Sequence, residues 1–216
     1  MNSANIIEIF ESLQGEGINI GEDQLFIRFS GCNLNCDYCD TNHSKEISTV
    51  WSVEKLLKEI ENFKGKTVAL TGGEPLLHFE FLKELLPKVE KTIYLETNGT
   101  LSQKLEEIID LVDIVAMDIK LQSSTGQENQ FSQNDEFARI ASRKIAFIKI
   151  VFDENIKDEE IEKTIEIAKK YNLTIILQPK MPMSAGFQPE EIFYKYFKEY
   201  KNIRLIPQVH KFLNIR

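Results

Sequence analysis

Short β-branched and aromatic runs alternate with amphipathic, helix-spaced segments from Leu25 almost to the end of the chain, and this alternation restricts the fold more than any single motif. Strands are predicted at 25–29, 68–70, 93–96, 114–118, 146–152, 174–178 and 204–207, with helices at 52–62, 79–89, 103–111, 157–171 and 189–201. Ser52 is suited to cap the first of these helices. Strands alternating with helices of this length imply an α/β fold around a mostly parallel sheet. Periodicity does not distinguish an open sheet from one curled into a barrel. In either form ligands collect at the carboxyl ends of the strands. No low-complexity linker or internal repeat interrupts the pattern, and 216 residues suit one core, so a single domain over 1–216 is expected.

The unusual polar motifs fall where that rule wants them. GCNLNCDYCDT follows the first predicted strand, TGGEP the second and TNGT the third, and DIK ends the fourth. They should converge on one face.

A formal charge of -8 disfavours a nucleic-acid footprint, because phosphate binding needs clustered Lys and Arg. A small-molecule substrate fits better. The Lys/Glu-rich stretches at 55–66, 157–170 and 195–201 read as solvated helix faces. With no apolar run of membrane-spanning length and no signal-peptide pattern at MNSANIIEIF, a cytoplasmic protein with no membrane or nucleic-acid partner is expected.

All three cysteines, Cys32, Cys36 and Cys39, lie within eight residues. An odd number packed so closely cannot form a disulfide framework, and points to metal or redox chemistry. Their C-x3-C-x2-C loop contains Gly31, Asn33 and Asn35, residues that tolerate tight turns. Three thiolates on a short loop can hold an iron-sulfur cluster and leave one iron open. The same spacing completed by His43 also suits a zinc site. Burial of three structural cysteines fits poorly with neighbours as polar as Asn33, Asn35, Asp37 and Asp40.

C-x3-C-x2-C with Tyr38 before the last cysteine resembles the cluster loop of the radical S-adenosylmethionine (SAM) superfamily, and Thr71-Gly72-Gly73-Glu74-Pro75 resembles its GGEP motif. In that superfamily a 4Fe-4S cluster chelates SAM through its open iron, and the GGEP segment receives the methionyl amino group. Paired glycines allow close backbone approach, and a carboxylate such as Glu74 can accept from an ammonium. Nearly the whole chain resembles 7-carboxy-7-deazaguanine synthase, through Ser12-Leu13-Gln14-Gly15-Glu16-Gly17, Phe26-Ile27-Arg28, Cys39-Asp40-Thr41 and Pro207-Gln208-Val209-His210-Lys211. The resemblance implies a shortened, modified (βα) partial barrel, typically a homodimer. It also implies SAM- and Mg²⁺-dependent conversion of 6-carboxy-5,6,7,8-tetrahydropterin to 7-carboxy-7-deazaguanine with loss of ammonia, in queuosine and related deazapurine biosynthesis, using an electron donor such as flavodoxin or ferredoxin.

The resemblance assigns the cluster to Cys32, Cys36 and Cys39, and SAM to Tyr38, Cys39, Asp40, Gly72, Gly73, Glu74, Asp118, Ile119 and Lys120. It assigns the pterin to Leu13, Gln14, Gly15, Arg28 and Thr71, with Arg28 facing the substrate carboxylate, as a guanidinium suits. Thr41 matches the magnesium ligand, consistent with the preference of Mg²⁺ for oxygen. Asp118-Ile119-Lys120 departs from the Ser-Pro-Lys of many relatives at two of three positions. Thr97, Asn98, Gly99 and Gln178 are further candidates for the same pocket, and Arg216 could reach the site because the C-terminal carboxylate does so in some relatives. Two alternatives stand beside this assignment: an activase of the same superfamily that installs a glycyl radical on a partner protein, and a zinc-binding interaction module, which would leave TGGEP unexplained.

Overall fold

A computed structural model describes residues 2–37, 39 and 43–215. Its strands are β1 (Ser3–Leu13), β2 (Asp23–Phe29), β3 (Thr49–Ser52), β4 (Thr67–Gly72), β5 (Thr92–Thr97), β6 (Ile114–Asp118), β7 (Ile145–Phe152), β8 (Thr174–Pro179) and β9 (Ile203–Leu205). The helices are α1 (Val53–Asn62), α2 (Phe79–Leu85), α3 (Ser102–Ile108), α4 (Gln122–Thr125), α5 (Phe131–Ala141), α6 (Asp158–Tyr171), α7 (Pro189–Glu199) and α8 (Val209–Leu213). One nine-stranded sheet runs in the order β3-β1-β2-β4-β5-β6-β7-β8-β9. Every pair from β2–β4 to β8–β9 is parallel, and only β1 breaks the sense, antiparallel to both β2 and β3.

The sheet is a partial barrel: it curls around an inner face while its outer face carries the helices. The main core lies between sheet and helices, where α1 buries Val53, Leu56 and Ile60 at helical spacing. A second, smaller cluster fills the inside of the curve with Phe26, Ala69, Tyr94, Ile114, Ala116, Phe147 and Ile176, backed by Phe10, Ile18 and Ile206. Contributions reach this cluster from β1 at one side to the residue after β9 at the other. Side chains alternate along a strand, so the residues two places further on share the same inner face. These are Arg28, Thr71, Glu96, Asp118, Lys149 and Gln178. An apolar floor is therefore topped by a polar layer at the carboxyl end of the strands.

Each predicted strand and helix is present, with ends shifted by a few residues, and the differences have local causes. The helix expected over 79–89 ends at Leu85 and continues as a 3₁₀ turn, Leu86–Lys88. Pro87 has no N–H to donate and its ring crowds the preceding turn. Strand β1 was hidden because neither of its faces is uniformly apolar, and a bulge between Ile6 and Glu8 changes the register. Ile6 packs in the helix-side core, whereas Phe10 packs on the inner floor. Helix α5 was missed because its buried apolar residues, Phe137, Ala138, Ile140 and Ala141, crowd into its second half. It nonetheless buttresses the TNGT turn, with Asn134 Nδ2 donating to the Gly99 carbonyl at 2.8 Å. Among the described residues no helix is long and apolar enough to cross a membrane.

Helix α1 begins where Ser52 Oγ accepts from the Lys55 amide at 3.3 Å. Replacing Ser52 with Ala should lower unfolding stability by about 1 kcal/mol in urea titrations, leaving the denaturant slope unchanged.

Candidate functional site

The carboxyl ends of the strands surround a cavity of about 660 Å³, within the usual range for small-molecule sites. Cys32, Cys36 and Cys39 line it, as do Leu13, Gln14, Gly15, Arg28, Thr71, Gly72, Gly73, Asp118 and Lys120. Each of the four polar motifs contributes, as parallel strands require.

The cluster loop is closed at its base by Gly31 N donating to the His43 carbonyl at 2.7 Å. Within it Cys39 N donates to the Cys36 carbonyl at 3.1 Å, and Asp37 N reaches the Thr125 carbonyl at the end of α4 at 3.0 Å. Burial pushes the thiols of Cys32 and Cys36 up, Cys36 to about 11. Metal binding at these positions must therefore release protons.

The end of β4 packs directly on this loop. A Cβ on Gly73 would lie 2.0 Å from the Gly31 carbonyl oxygen and 3.1 Å from Cys32 Cβ, and one on Gly72 would lie 2.3 Å from the Phe29 oxygen. The two glycines thus allow close approach to the backbone of residues 29–31. Glu74 is fully buried, and its carboxylate accepts from Leu76 N at 3.0 Å, Thr97 Oγ1 at 2.9 Å and Asn98 N at 2.8 Å. Burial pushes this carboxyl up to about 7 against the pull of those donors. Its side chain joins TGGEP to TNGT below the cavity lining, leaving Gly72 and Gly73 on the wall.

Asp118 and Lys120 point the same way from the end of β6 and pair at 2.7 Å, while Ile119 between them enters the main core. Asp118 Oδ1 is buried without a hydrogen-bond partner among the described residues, as are both amide atoms of Gln178. Arg28 Nε donates to Glu8 Oε1 at 2.7 Å, and its guanidinium lies 5.7 Å from the Phe10 ring centroid. It is both an ion-pair partner and part of the cavity wall. Gln14 is buried, with Nε2 donating to Glu96 at 3.0 Å and to Gln24 at 3.2 Å. Thr71 Oγ1 donates to the other oxygen of Glu96 at 2.8 Å. Gly15 faces the C-terminal segment: its carbonyl accepts from Val209 N at 2.9 Å, and a Cβ there would meet the His210 ring. Tyr38, Asp40, Thr41 and Arg216 lie outside the described residues.

Several wall residues had been given no role from the sequence: Glu8, Glu16, Glu96, Lys149, Lys180 and Gln208. Buried Lys149 pairs with Glu16 and lies 3.5 Å from Asp118. Burial alone would raise the Glu16 carboxyl, but Lys149 and Gln208 hold it well below the usual carboxylate range. Burial would lower the Lys149 ammonium, yet Glu16, Asp118 and Glu96 keep it well above its ordinary value. The step from apolar to polar two residues apart, Phe147 to Lys149 and Tyr94 to Glu96, was the available signal.

Residues 26–184 match the Radical SAM superfamily. The chain is 35% identical to 7-carboxy-7-deazaguanine synthase of Geobacter sulfurreducens over 97% of each chain. It is 36% identical to the Archaeoglobus fulgidus enzyme of that name over 99% of each. The chain belongs to the 7-carboxy-7-deazaguanine synthase family of radical SAM enzymes. Its fold is similar to the crystal structure of QueE from Escherichia coli, with a TM-score of 0.68 at 24% identity over 96% of this chain and 95% of that one.

Membership of a radical SAM family implies a 4Fe-4S cluster and SAM. The wall fits both, offering three thiols on one loop and the unpartnered acceptor Asp118 Oδ1 beside them.

Gly73→Ala should displace the cluster loop, since the new methyl meets backbone at a distance no carbon tolerates. Iron per chain after anaerobic reconstitution should fall several-fold, with far-UV circular dichroism unchanged.

Proposed function

We propose that the chain is a radical SAM lyase that converts 6-carboxy-5,6,7,8-tetrahydropterin to 7-carboxy-7-deazaguanine with loss of ammonia, in the formation of queuosine or a related deazapurine. One cavity carries this reading: the same wall holds three thiols, the glycine pair, and the Leu13-Gln14-Gly15 and Arg28 positions matched to pterin binding. In the proposal Cys32, Cys36 and Cys39 hold the cluster, and Tyr38, Asp40, Gly72, Gly73, Glu74, Asp118, Ile119 and Lys120 form the SAM-binding segments together with Cys39. When bound, the cluster and SAM supply one-electron cleavage chemistry and the hydrogen abstraction that starts the ring contraction.

The chain's own work is positioning. The polar layer of Thr71, Glu96, Asp118 and Lys149 presents fixed donors and acceptors to a heterocycle, while the apolar floor beneath closes off the far end of the barrel. Leu13, Gln14 and Gly15 meet the pterin through a backbone held in place by Gln14 and by the C-terminal segment. Arg28, braced by Glu8, offers its guanidinium plane to the substrate carboxylate. Magnesium, with Thr41 as its protein ligand, rests on the sequence resemblance. A homodimer of single-domain chains and an electron donor of the flavodoxin or ferredoxin type complete the proposal.

Anaerobic incubation with the carboxytetrahydropterin, SAM, dithionite and Mg²⁺ should yield 7-carboxy-7-deazaguanine by mass spectrometry. SAM cleavage without that product would overturn the substrate assignment. Thr41→Ala should keep its iron and bind SAM while needing more magnesium for turnover, whereas Arg28→Ala should raise KM for the pterin at unchanged magnesium dependence. Wild-type magnesium dependence in Thr41→Ala would remove it from the metal site.

A further inference from the structure

Asn98 stands between three motifs, and its amide orientation is fixed by its neighbours. Asn98 Oδ1 accepts from Thr100 N at 3.1 Å and from Thr100 Oγ1 at 2.6 Å. The NH₂ must therefore point the other way, toward the cluster loop. There Nδ2 donates to Asn33 Oδ1 at 2.9 Å and lies 3.9 Å from Cys32 Sγ. Asn33 closes the ring by donating its own Nδ2 to Thr100 Oγ1 at 2.9 Å. The Asn98 main chain is anchored independently, its N–H donating to the buried Glu74 carboxylate at 2.8 Å. One N–H of Asn98 is thus spent on Asn33, and the other is left facing the sulfur.

We propose that Asn98 is a positioning residue of the cluster, whose side-chain N–H donates to the Cys32 thiolate and raises the cluster's reduction potential. This rests on the family reading that Cys32 is a cluster ligand. Reduction adds negative charge to the cluster and its sulfurs, so a fixed N–H dipole aimed at a ligand sulfur stabilises the reduced form more than the oxidised one. A donor held from two sides costs no reorganisation when the electron arrives.

The test is an EPR-monitored redox titration of reconstituted wild-type, Asn98→Ala, Asn98→Asp and Asn33→Ala proteins. Asn98→Asp keeps the shape and the oxygen that accepts from Thr100 but removes the N–H. Asn33→Ala removes the loop tether and leaves the Asn98 amide in place. Asn98→Ala should shift to more negative potential by about tenfold in the one-electron equilibrium, about 59 mV, Asn98→Asp by at least as much because its carboxylate also adds negative charge beside the sulfur, and Asn33→Ala by much less. Wild-type potentials in the Asn98 variants, or an equal shift in Asn33→Ala, overturn the proposal. If the Asn98 variants retain no iron, pulsed EPR of wild-type and Asn33→Ala protein labelled with ¹⁵N in asparagine side-chain amides decides. A ¹⁵N coupling to the reduced cluster that survives in Asn33→Ala supports the N–H to sulfur contact, and its absence overturns it. Wild-type protein that assembles no 4Fe-4S cluster defeats the family reading instead.

Discussion

A single buried carboxylate holds the ends of two adjacent strands together, and the cavity is assembled on that bond. Glu74 has no exposure to solvent, and it accepts from its own segment through Leu76 and from the TNGT turn through Thr97 and Asn98. A carboxylate without partners at such depth costs several kcal/mol, so its donors are fixed as firmly as it is. Through Asn98 the same constraint reaches Asn33 and the edge of the cysteine loop. The loop is also seated from below, because Glu74 N donates to the Gly31 carbonyl at 2.8 Å and Gly73 N to the Phe29 carbonyl at 3.1 Å. Position, more than any special strength of one contact, explains why TGGEP and TNGT matter.

The cavity has the layered construction of a small barrel interior. Aromatic and aliphatic side chains fill the lower level, and the next inward residue on each strand is polar. In the polar level three acids, Glu16, Glu96 and Asp118, gather around Lys149. Leaving an ammonium unpaired there would be expensive, and leaving three carboxylates without it would be worse. The acceptors that find no partner among the described residues, on Asp118 and Gln178, lie in this same layer.

The segments most remote in sequence are the ones that finish the site. Gln208 donates to Glu16 at 2.7 Å, and Val209 N reaches the Gly15 carbonyl, so the last turn of the chain is folded onto the first motif. Helix α4 does the same for the cysteine loop through the Thr125 carbonyl, and α4 is itself held by Glu160, which accepts from Ser123 N at 3.0 Å. These links are single hydrogen bonds between segments tens of residues apart, and no periodicity announces them.

By itself the sequence determined the βα alternation, and with it the convergence of the cysteine loop, TGGEP, TNGT and DIK on one end of a parallel sheet. Periodicity is a local property, and parallel connection forces every strand to end on the same side. The family, too, was legible, because cysteine spacing and a glycine pair are contiguous signals. Tertiary structure alone decided that β1 joins antiparallel with a bulge, that Glu74 turns into the core, that Arg28 is braced by Glu8, and that Lys149 sits among three acids. Each of these depends on which residues meet across a curved sheet, and such meetings are fixed by register and closure rather than by neighbours along the chain.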